Sequence, residues 1–279
     1  MKRLSLFNLY ISLSMLMLSL ACNTDTSTPE NSTPVAEKAV EIPNINYQVT
    51  AYHAHDVNSF TEGLLVHQGK VYESTGAPED MPNANSLFGE LDLKTGKINV
   101  KATLDKKIYF GEGITFMNGK VYQLTYTNKK GFIYDDKTFK KVGEFNYANT
   151  EGWGLTNDSV NLIMTDGTSN ITYLDPTSLQ ATKTIAVTEQ GAPVQYLNEI
   201  EWINGYLYAN IYTSNTIVKI NPQDGKVVGK LDLTSLKQEA NTKHPNSLET
   251  NGIAYDKEKD KIYVTGKFWP TVYEIAFSH

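Results

Sequence analysis

Five side chains suited to proton transfer or hydrogen bonding recur at similar places along this chain. They are Glu62, Glu112, Glu151, Glu199 and Asn251. If the fold brings them to one rim of a channel, four carboxylates share a partly desolvated space, and at least one should have a raised pKa. A carboxyl that keeps its proton near neutral pH can act as a general acid. The same acids could instead accept backbone hydrogen bonds or bind a structural cation, so the pattern alone leaves their role open.

Other catalytic chemistry has little support in the sequence. The histidines provide one His-x-His pair, His53 and His55, without a third metal ligand at a suitable spacing, and we interpret all five histidines as surface residues. The chain has a single cysteine, Cys22, and neither a Gly-x-Ser-x-Gly motif nor a glycine-rich phosphate loop. Its net charge of −6 argues against nucleic acid as a partner.

The recurring side chains each open a similar segment of sequence, and these segments begin 39 to 52 residues apart. Each segment contains a strand, a tight turn and a second strand, as in "FTEGLLVHQGKVYEST" and "FGEGITFMNGKVYQLTYTN". A third strand follows in every unit and a fourth in the first four units. This period and strand count predict an all-β fold, a five-bladed β-propeller with four antiparallel strands per blade.

The fifth unit ends after its third strand, so its fourth strand must come from elsewhere. The segment "YQVTAY", residues 47–52, precedes the first unit and is predicted to complete the last blade and close the ring. A short helix is predicted over residues 233–241. A two-domain array of β-sandwiches is the alternative fold.

The N-terminus has the pattern of an export signal. Lys2 and Arg3 precede an apolar run that ends at "LSLAC". We predict a lipoprotein signal over residues 1–21, lipidation of Cys22, a flexible polar linker over 22–46 and the propeller domain over 47–279. Cleavage without a lipid anchor and an uncleaved transmembrane helix are the alternatives. The expected location is the periplasmic or cell-surface side of a bacterial membrane.

The blade motifs also occur together in one known family. "FTEGLL", "YFGEGIT", "GWGLT", "YLNEIEWING", "NGIAYD" and "VTGKFWP" follow one another in the order found in glutamine cyclotransferases of the plant and bacterial type. From about Tyr47 to the C-terminus the chain resembles these five-bladed propellers. The resemblance implies an acyltransferase that converts the N-terminal glutamine of peptides and proteins to pyroglutamate and releases ammonia. It also implies a monomer that needs no cofactor, although a structural Ca²⁺ in the channel is conceivable.

The resemblance further implies which residues form the site. The acid/base glutamate corresponds to Glu112, the asparagine that holds the reacting amide to Asn198, and the family's lysine to Lys267. Phe60 and Trp153 match the aromatic wall of the pocket, although both could simply be core residues.

Three further substrate-binding positions depart from the plant pattern. Glu62 stands where plant members have Gln, and Tyr126 and Tyr212 stand where they have Trp. The resemblance therefore implies a more polar and more acidic pocket, which concerns the substrate preference more than the chemistry.

Two other functions remain open at this point. A non-catalytic surface propeller that binds peptide, glycan or protein predicts that Glu112, Asn198 and Lys267 do not converge on one pocket. A metal-dependent hydrolase predicts that several inner carboxylates coordinate one cation such as Ca²⁺.

Overall fold

The computed structural model describes residues 41–279, and these form five four-stranded antiparallel sheets. The predicted signal, Cys22 and most of the predicted linker lie outside the described residues. Blade one consists of β2 (Phe60–His67), β3 (Lys70–Gly76), β4 (Leu87–Asp92) and β5 (Lys97–Thr103). Blade two consists of β6 (Gly111–Met117), β7 (Lys120–Thr125), β8 (Lys130–Asp135) and β9 (Lys141–Asn146).

The other three blades repeat this order. Blade three consists of β10 (Leu155–Asn157), β11 (Leu162–Thr165), β12 (Asn170–Leu174) and β13 (Ala181–Ala186). A small hairpin of β14 (Thr188–Glu189) and β15 (Ala192–Pro193) follows. Blade four consists of β16 (Leu197–Ile203), β17 (Tyr206–Ile211), β18 (Thr216–Ile220) and β19 (Val227–Asp232). Blade five consists of β20 (Thr250–Asp256), β21 (Lys261–Gly266), β22 (Thr271–Ala276) and β1 (Gln48–Ala54). The predicted five-bladed propeller is confirmed.

The N-terminal strand closes the ring as predicted. β1 pairs antiparallel with β22, from Gln48 opposite Ala276 to Ala54 opposite Thr271. This pairing joins the two ends of the folded domain, so the outer edge of the last blade is built like that of the others.

Tight turns connect the first two strands in three of the blades. Residues Gln68-Gly69, Asn118-Gly119 and Asn204-Gly205 all have positive φ angles. Two successive positive φ angles define the hairpin turn whose twist matches that of the flanking strands. The "QG" and "NG" pairs read from the sequence therefore form the turns that were predicted.

The core consists of hydrophobic clusters that lie between neighbouring blades. For example, Tyr122 and Leu124 of blade two pack with Leu162 and Met164 of blade three. Similar clusters lie at the four other interfaces between blades. Stability therefore comes from packing around the ring, as expected for a domain without cysteine.

The predicted helix is present as α1, Thr234–Lys243. Its buried residues Leu236 and Ala240 belong to the cluster between blades four and five. No helix within residues 41–279 has the length and apolar character to span a membrane.

The described end of the predicted linker is packed against the propeller. The Ile45 N–H donates to the Lys230 carbonyl (2.7 Å), and the Lys230 N–H donates to the Pro43 carbonyl (3.0 Å). Ile42 and Ile45 pack against two of the core clusters. The segment that packs against the propeller therefore begins before Tyr47, because these two isoleucines cover apolar surface beside β19.

Candidate functional site

The polar side chains of the site come from irregular points in the inner strands. In four blades the pairing of the first two strands shifts register, between Thr61 and Gly63, Gly111 and Ile114, Leu197 and Ile200, or Thr250 and Ile253. A β-bulge leaves a residue unpaired and redirects its side chain. The bulged residues include Glu62, Glu112, Asn198 and Asn251.

The bulges correct the repeat alignment made from the sequence. We aligned the inner strands of the five blades on the first apolar residue that pairs with the second strand after the bulge. In this alignment the equivalents of Glu112 are Glu62, Trp153, Asn198 and Asn251. Glu199 is one residue out of place, in the position of Gly113, and Glu151 is two residues out of place. A shift of one residue turns a side chain to the other face of a strand. The equivalent positions therefore carry two acids, two amides and a tryptophan.

The next position is glycine in most blades because neighbouring inner strands approach closely there. A Cβ on Gly113 would lie 2.4 Å from the Leu155 backbone nitrogen, and one on Gly154 would lie 2.4 Å from the Asn198 carbonyl oxygen. Side chains at these two positions would push the blades apart. Glycine thus brings the bulged residues of successive blades together near the axis.

A cavity of about 460 Å³ lies beside these bulges. All eight site residues implied by the sequence resemblance line this cavity: Phe60, Glu62, Glu112, Tyr126, Trp153, Asn198, Tyr212 and Lys267. They come from all five blades or the loops that follow their strands. A cavity of this size and mixed polarity is typical of a small-ligand site.

Lys267 and Glu62 form an ion pair at the closed end of the cavity. Lys267 Nζ lies 2.8 Å from Glu62 Oε1, and Asn251 Nδ2 donates to Glu62 Oε2 at 3.0 Å. The ammonium group also lies 4.3 Å from the Phe60 ring centroid and 5.3 Å from that of Tyr212. Interactions with the carboxylate and the two rings thus offset the free-energy cost of removing the Lys267 ammonium from water.

Burial and neighbouring charges change the protonation of these groups. Burial raises the pKa of Glu62 to about 7, although the Lys267 ammonium opposes this rise. Burial alone lowers the pKa of Lys267, but the charges of Glu62 and Glu112 outweigh burial and raise that pKa above its usual value. The pair therefore contains a permanent cation and a carboxyl that titrates near neutral pH.

Glu112 is buried, with 4% of its surface exposed, yet its carboxyl has no hydrogen-bond partner among residues 41–279. Its main chain is held in place, since its carbonyl accepts from Ser74 Oγ at 2.6 Å. Burial, followed by the charge of Glu62, raises the pKa of Glu112 well above its usual value. The backbone of Glu112 is therefore held in place, while its carboxyl is free to bind a ligand and poised to hold a proton.

Asn198 also presents an unused polar group. Its Oδ1 atom is buried without a hydrogen-bond partner in the part of the chain that is described. Its main-chain carbonyl accepts from Thr165 Oγ1 at 2.8 Å. Because buried polar atoms normally have partners, an unpaired amide in a cavity indicates a place for a ligand.

Aromatic side chains form a continuous wall around these polar groups. The ring centroids of Phe60 and Phe110 lie 5.7 Å apart, those of Phe110 and Tyr126 6.0 Å, those of Tyr126 and Trp153 6.4 Å, and those of Trp153 and Tyr212 5.4 Å. Sequence reasoning missed Phe110. The signal was present, because Phe110 precedes its blade's glutamate by two residues, as Phe60 does.

Two of the recurring acids are not brought into the cavity. Glu151 accepts a hydrogen bond from Trp153 Nε1 at 2.8 Å and so orients that ring. Glu199 accepts from the backbone N–H groups of Leu64 (3.1 Å) and Ile253 (2.8 Å), which join inner strands of three blades. Within residues 41–279 no three His, Cys, Asp or Glu side chains are grouped so that they could hold a metal ion.

The interpretation of the histidines as surface residues is wrong for His55. Its ring is fully buried, with Nδ1 2.7 Å from the Trp269 carbonyl and Nε2 3.1 Å from Glu73 Oε1. Both neighbours are acceptors, so both ring nitrogens donate and the imidazole is protonated. The residue escaped notice because a buried ion pair leaves no periodic signal in the sequence.

The fold and the cavity together define the class of protein, which is a five-bladed propeller with a buried polar pocket enclosed by aromatic side chains. A family model for glutamine cyclotransferases matches residues 16–277. The glutaminyl-peptide cyclotransferase of Arabidopsis thaliana is 36% identical over 230 residues, which are 82% of this chain and 70% of the plant protein. The crystal structure of Myxococcus xanthus glutaminyl cyclase superimposes with a TM-score of 0.77 at 29% identity, over 85% of this chain and 99% of that one. The chain belongs to the glutamine cyclotransferase family.

Proposed function

We propose that this protein is a glutaminyl-peptide cyclotransferase that converts the N-terminal glutamine of peptides and proteins to pyroglutamate. The observation that carries the proposal is the convergence of the Glu112 carboxyl, the Asn198 amide and the Lys267 ammonium on one aromatic-lined cavity, with Asn198 Oδ1 unpaired within residues 41–279. The alternative function, a surface propeller without catalytic activity, predicts instead that these three groups do not converge on one pocket.

In the proposed reaction the substrate's α-amine attacks the δ-carbon of its own side-chain amide. A C–N bond forms to close the five-membered lactam, the original amide C–N bond breaks, and one proton passes from the amine to the departing nitrogen, which leaves as ammonia. Both reactants belong to one residue, so the protein must select the folded rotamer and shield it from water. The proposed reaction uses only side chains of the protein and requires no cofactor.

We assign the proton transfer to Glu112. A free α-amine has a pKa of about 7.7–8.0, so a usable fraction is already neutral at pH 7, and protonation of the leaving nitrogen is the harder task. In its ionised form Glu112 accepts the proton from the attacking amine, which a raised pKa favours, and the resulting carboxyl then returns that proton to the amide nitrogen. The lack of a side-chain partner for Glu112 supports this role, because the carboxyl is free to contact both nitrogens in turn.

We assign the amide oxygen, which gains negative charge during attack, to two donors, the Asn198 Nδ2 group and the Lys267 ammonium, and Asn198 Oδ1 is left to accept from a substrate N–H. The lysine ammonium has three N–H groups, of which one contacts Glu62. A well-placed donor of this kind stabilises the transition state by roughly 3–4 kcal/mol. Glu62 in turn is placed to orient the substrate amine, and the aromatic wall encloses the two glutamine methylenes.

The direct test is to incubate the purified protein with a peptide that begins with glutamine and to follow the loss of one ammonia by mass spectrometry. The same peptide with an acetylated N-terminus is the matched control, because its nitrogen is no longer nucleophilic. We expect turnover of the first peptide only. A rate equal to spontaneous cyclisation would reject the proposal.

The N-terminal sequence extends the proposal to location. We propose that the protein is exported, lipidated on Cys22 and attached to a bacterial membrane by that lipid alone, and that it acts there as a monomer on peptides and proteins. Cys22→Ala should move the protein from the membrane fraction to the soluble fraction. Unchanged membrane association of that variant would contradict lipid anchoring.

A further inference from the structure

The cavity has a closed end and an open end. Glu62, Glu112, Asn198 and Lys267, at the closed end, are each under 5% exposed. Apart from the aromatic wall, the remaining lining comes from residues 77–79, 106–109 and 127–128, of which Ile108 is 57% exposed. A peptide whose first residue occupies the closed end must leave through this open end, so its second residue lies between these loops.

The loop that carries Ile108 is held in a defined shape. The Asp105 carbonyl accepts from the N–H groups of Ile108 (2.9 Å) and Tyr109 (2.8 Å), and Asp105 Oδ1 accepts from the Lys107 N–H (3.0 Å). The Tyr109 ring packs edge-on against Phe132, with 5.1 Å between ring centroids. Ile108 is therefore presented to solvent by a rigid turn.

A lysine fixes the distance between this loop and the one opposite. Lys106 Nζ donates to the carbonyls of Pro82 (3.1 Å) and Ala84 (2.9 Å), and the Leu104 N–H donates to the Ser86 carbonyl (2.8 Å). These bonds join residues 104–106 to residues 82–86. The open end of the cavity thus has a width set before a substrate arrives, which lowers the cost of ordering on binding.

We infer that this open end is a subsite for the second residue of the substrate and that Ile108 makes it favour an apolar side chain. The inference rests on the proposed function, because the first residue must be the reacting glutamine. An apolar side chain that covers Ile108 removes apolar surface of both groups from water, whereas glycine leaves Ile108 exposed. Ile108 and Phe110 line the same cavity, so the subsite belongs to that cavity.

The test compares kcat/KM for a peptide beginning Gln-Leu with that for the same peptide beginning Gln-Gly. We expect the wild type to favour the leucine peptide about tenfold, and Ile108→Ala to reduce this ratio to about twofold. Val142→Ala is the matched control, since Val142 is 59% exposed on the outer strand β9, away from the cavity. It should leave the ratio unchanged.

A second variant tests the spacing of the two loops. Lys106→Met removes both hydrogen bonds from the loop of residues 104–109 to the carbonyls of Pro82 and Ala84, and it should raise KM for the leucine peptide about threefold with little change in kcat. An equal kcat/KM for the two peptides in the wild type, or an unchanged ratio in Ile108→Ala, would overturn the inference while leaving the proposed function intact. Failure to turn over either peptide would reject both.

Discussion

Glu112 and Glu199 are both buried, and burial raises the pKa of both. Their surroundings nevertheless differ. Both carboxylate oxygens of Glu199 accept backbone N–H groups from neighbouring blades, whereas the Glu112 carboxyl faces the cavity without a partner in the described residues. A buried acid whose oxygens are all bonded holds strands together, and one whose oxygens are free can do chemistry. Hydrogen bonding, more than burial or pKa, distinguishes the two roles.

The largest expected effect tests the role of the free acid. Glu112→Gln keeps the size of the side chain and removes the titrating proton, so kcat should fall on the order of 10²-fold or more. Urea unfolding should show no loss of stability, because no hydrogen bond of the side chain to residues 41–279 is broken. Activity near that of the wild type would place the proton transfer on another group.

The amide neighbour should have the next largest effect. Asn198→Ala removes one proposed contact to the amide oxygen, and we expect kcat to fall roughly 10- to 100-fold while KM changes less. Steady-state kinetics on a Gln-peptide measure this split. A rise in KM alone would assign Asn198 to substrate binding without a role in the chemical step.

Glu62→Gln should have a smaller effect on rate and a visible effect on pH dependence. Because the pKa of Glu62 is about 7, its ionisation should appear as a limb near pH 7 in the profile of kcat/KM. The variant should change the rate at pH 7 by less than about tenfold and lack that limb. If the limb persists, the titrating group is not Glu62 but Glu112 or the substrate α-amine.

Substitution of Glu199, whose carboxylate oxygens are both hydrogen-bonded, should have the smallest effect on rate and a large effect on stability. Glu199→Gln places an amide N–H₂ against a backbone N–H donor, so stability should fall by roughly 1–3 kcal/mol in urea while kcat stays within about twofold. Loss of activity without loss of stability would contradict a structural role for Glu199 that differs from the chemical role of Glu112.

The raised carboxyl pKa values also predict how stability depends on pH. In the folded state Glu62 and Glu201 hold their protons up to pH values of about 7 and about 8, above the range in which they ionise when unfolded. Folding therefore binds protons, and the stability from these groups is present at low pH and lost as pH rises through the folded pKa values. Denaturant unfolding at pH 5 and pH 8 should show this decrease, and Glu201→Gln should make it smaller. An unchanged slope in Glu201→Gln would contradict it.

Much of the architecture could be predicted because each strand carries its own signal. Alternating apolar residues, "NG" turns and the repeat period predicted the blades, the closing strand and the helix over 233–241. Family motifs also named eight of the side chains that line the cavity. The position of Phe110 was available in the same pattern, two residues before an acid, and was overlooked.

Local sequence therefore determined the strands and the turns, since those features depend on neighbouring residues and on periodicity. The closing strand was predicted from the strand count, because the fifth unit lacks its fourth strand. Only the tertiary structure decided which acids face the cavity. A bulge shifts the strand register by one residue, which turns Glu112 and Asn198 toward the pocket and Glu199 toward the backbone of other blades. It likewise decided that His55 is buried, because its partners Glu73 and Trp269 come from distant parts of the chain that meet only when the ring closes.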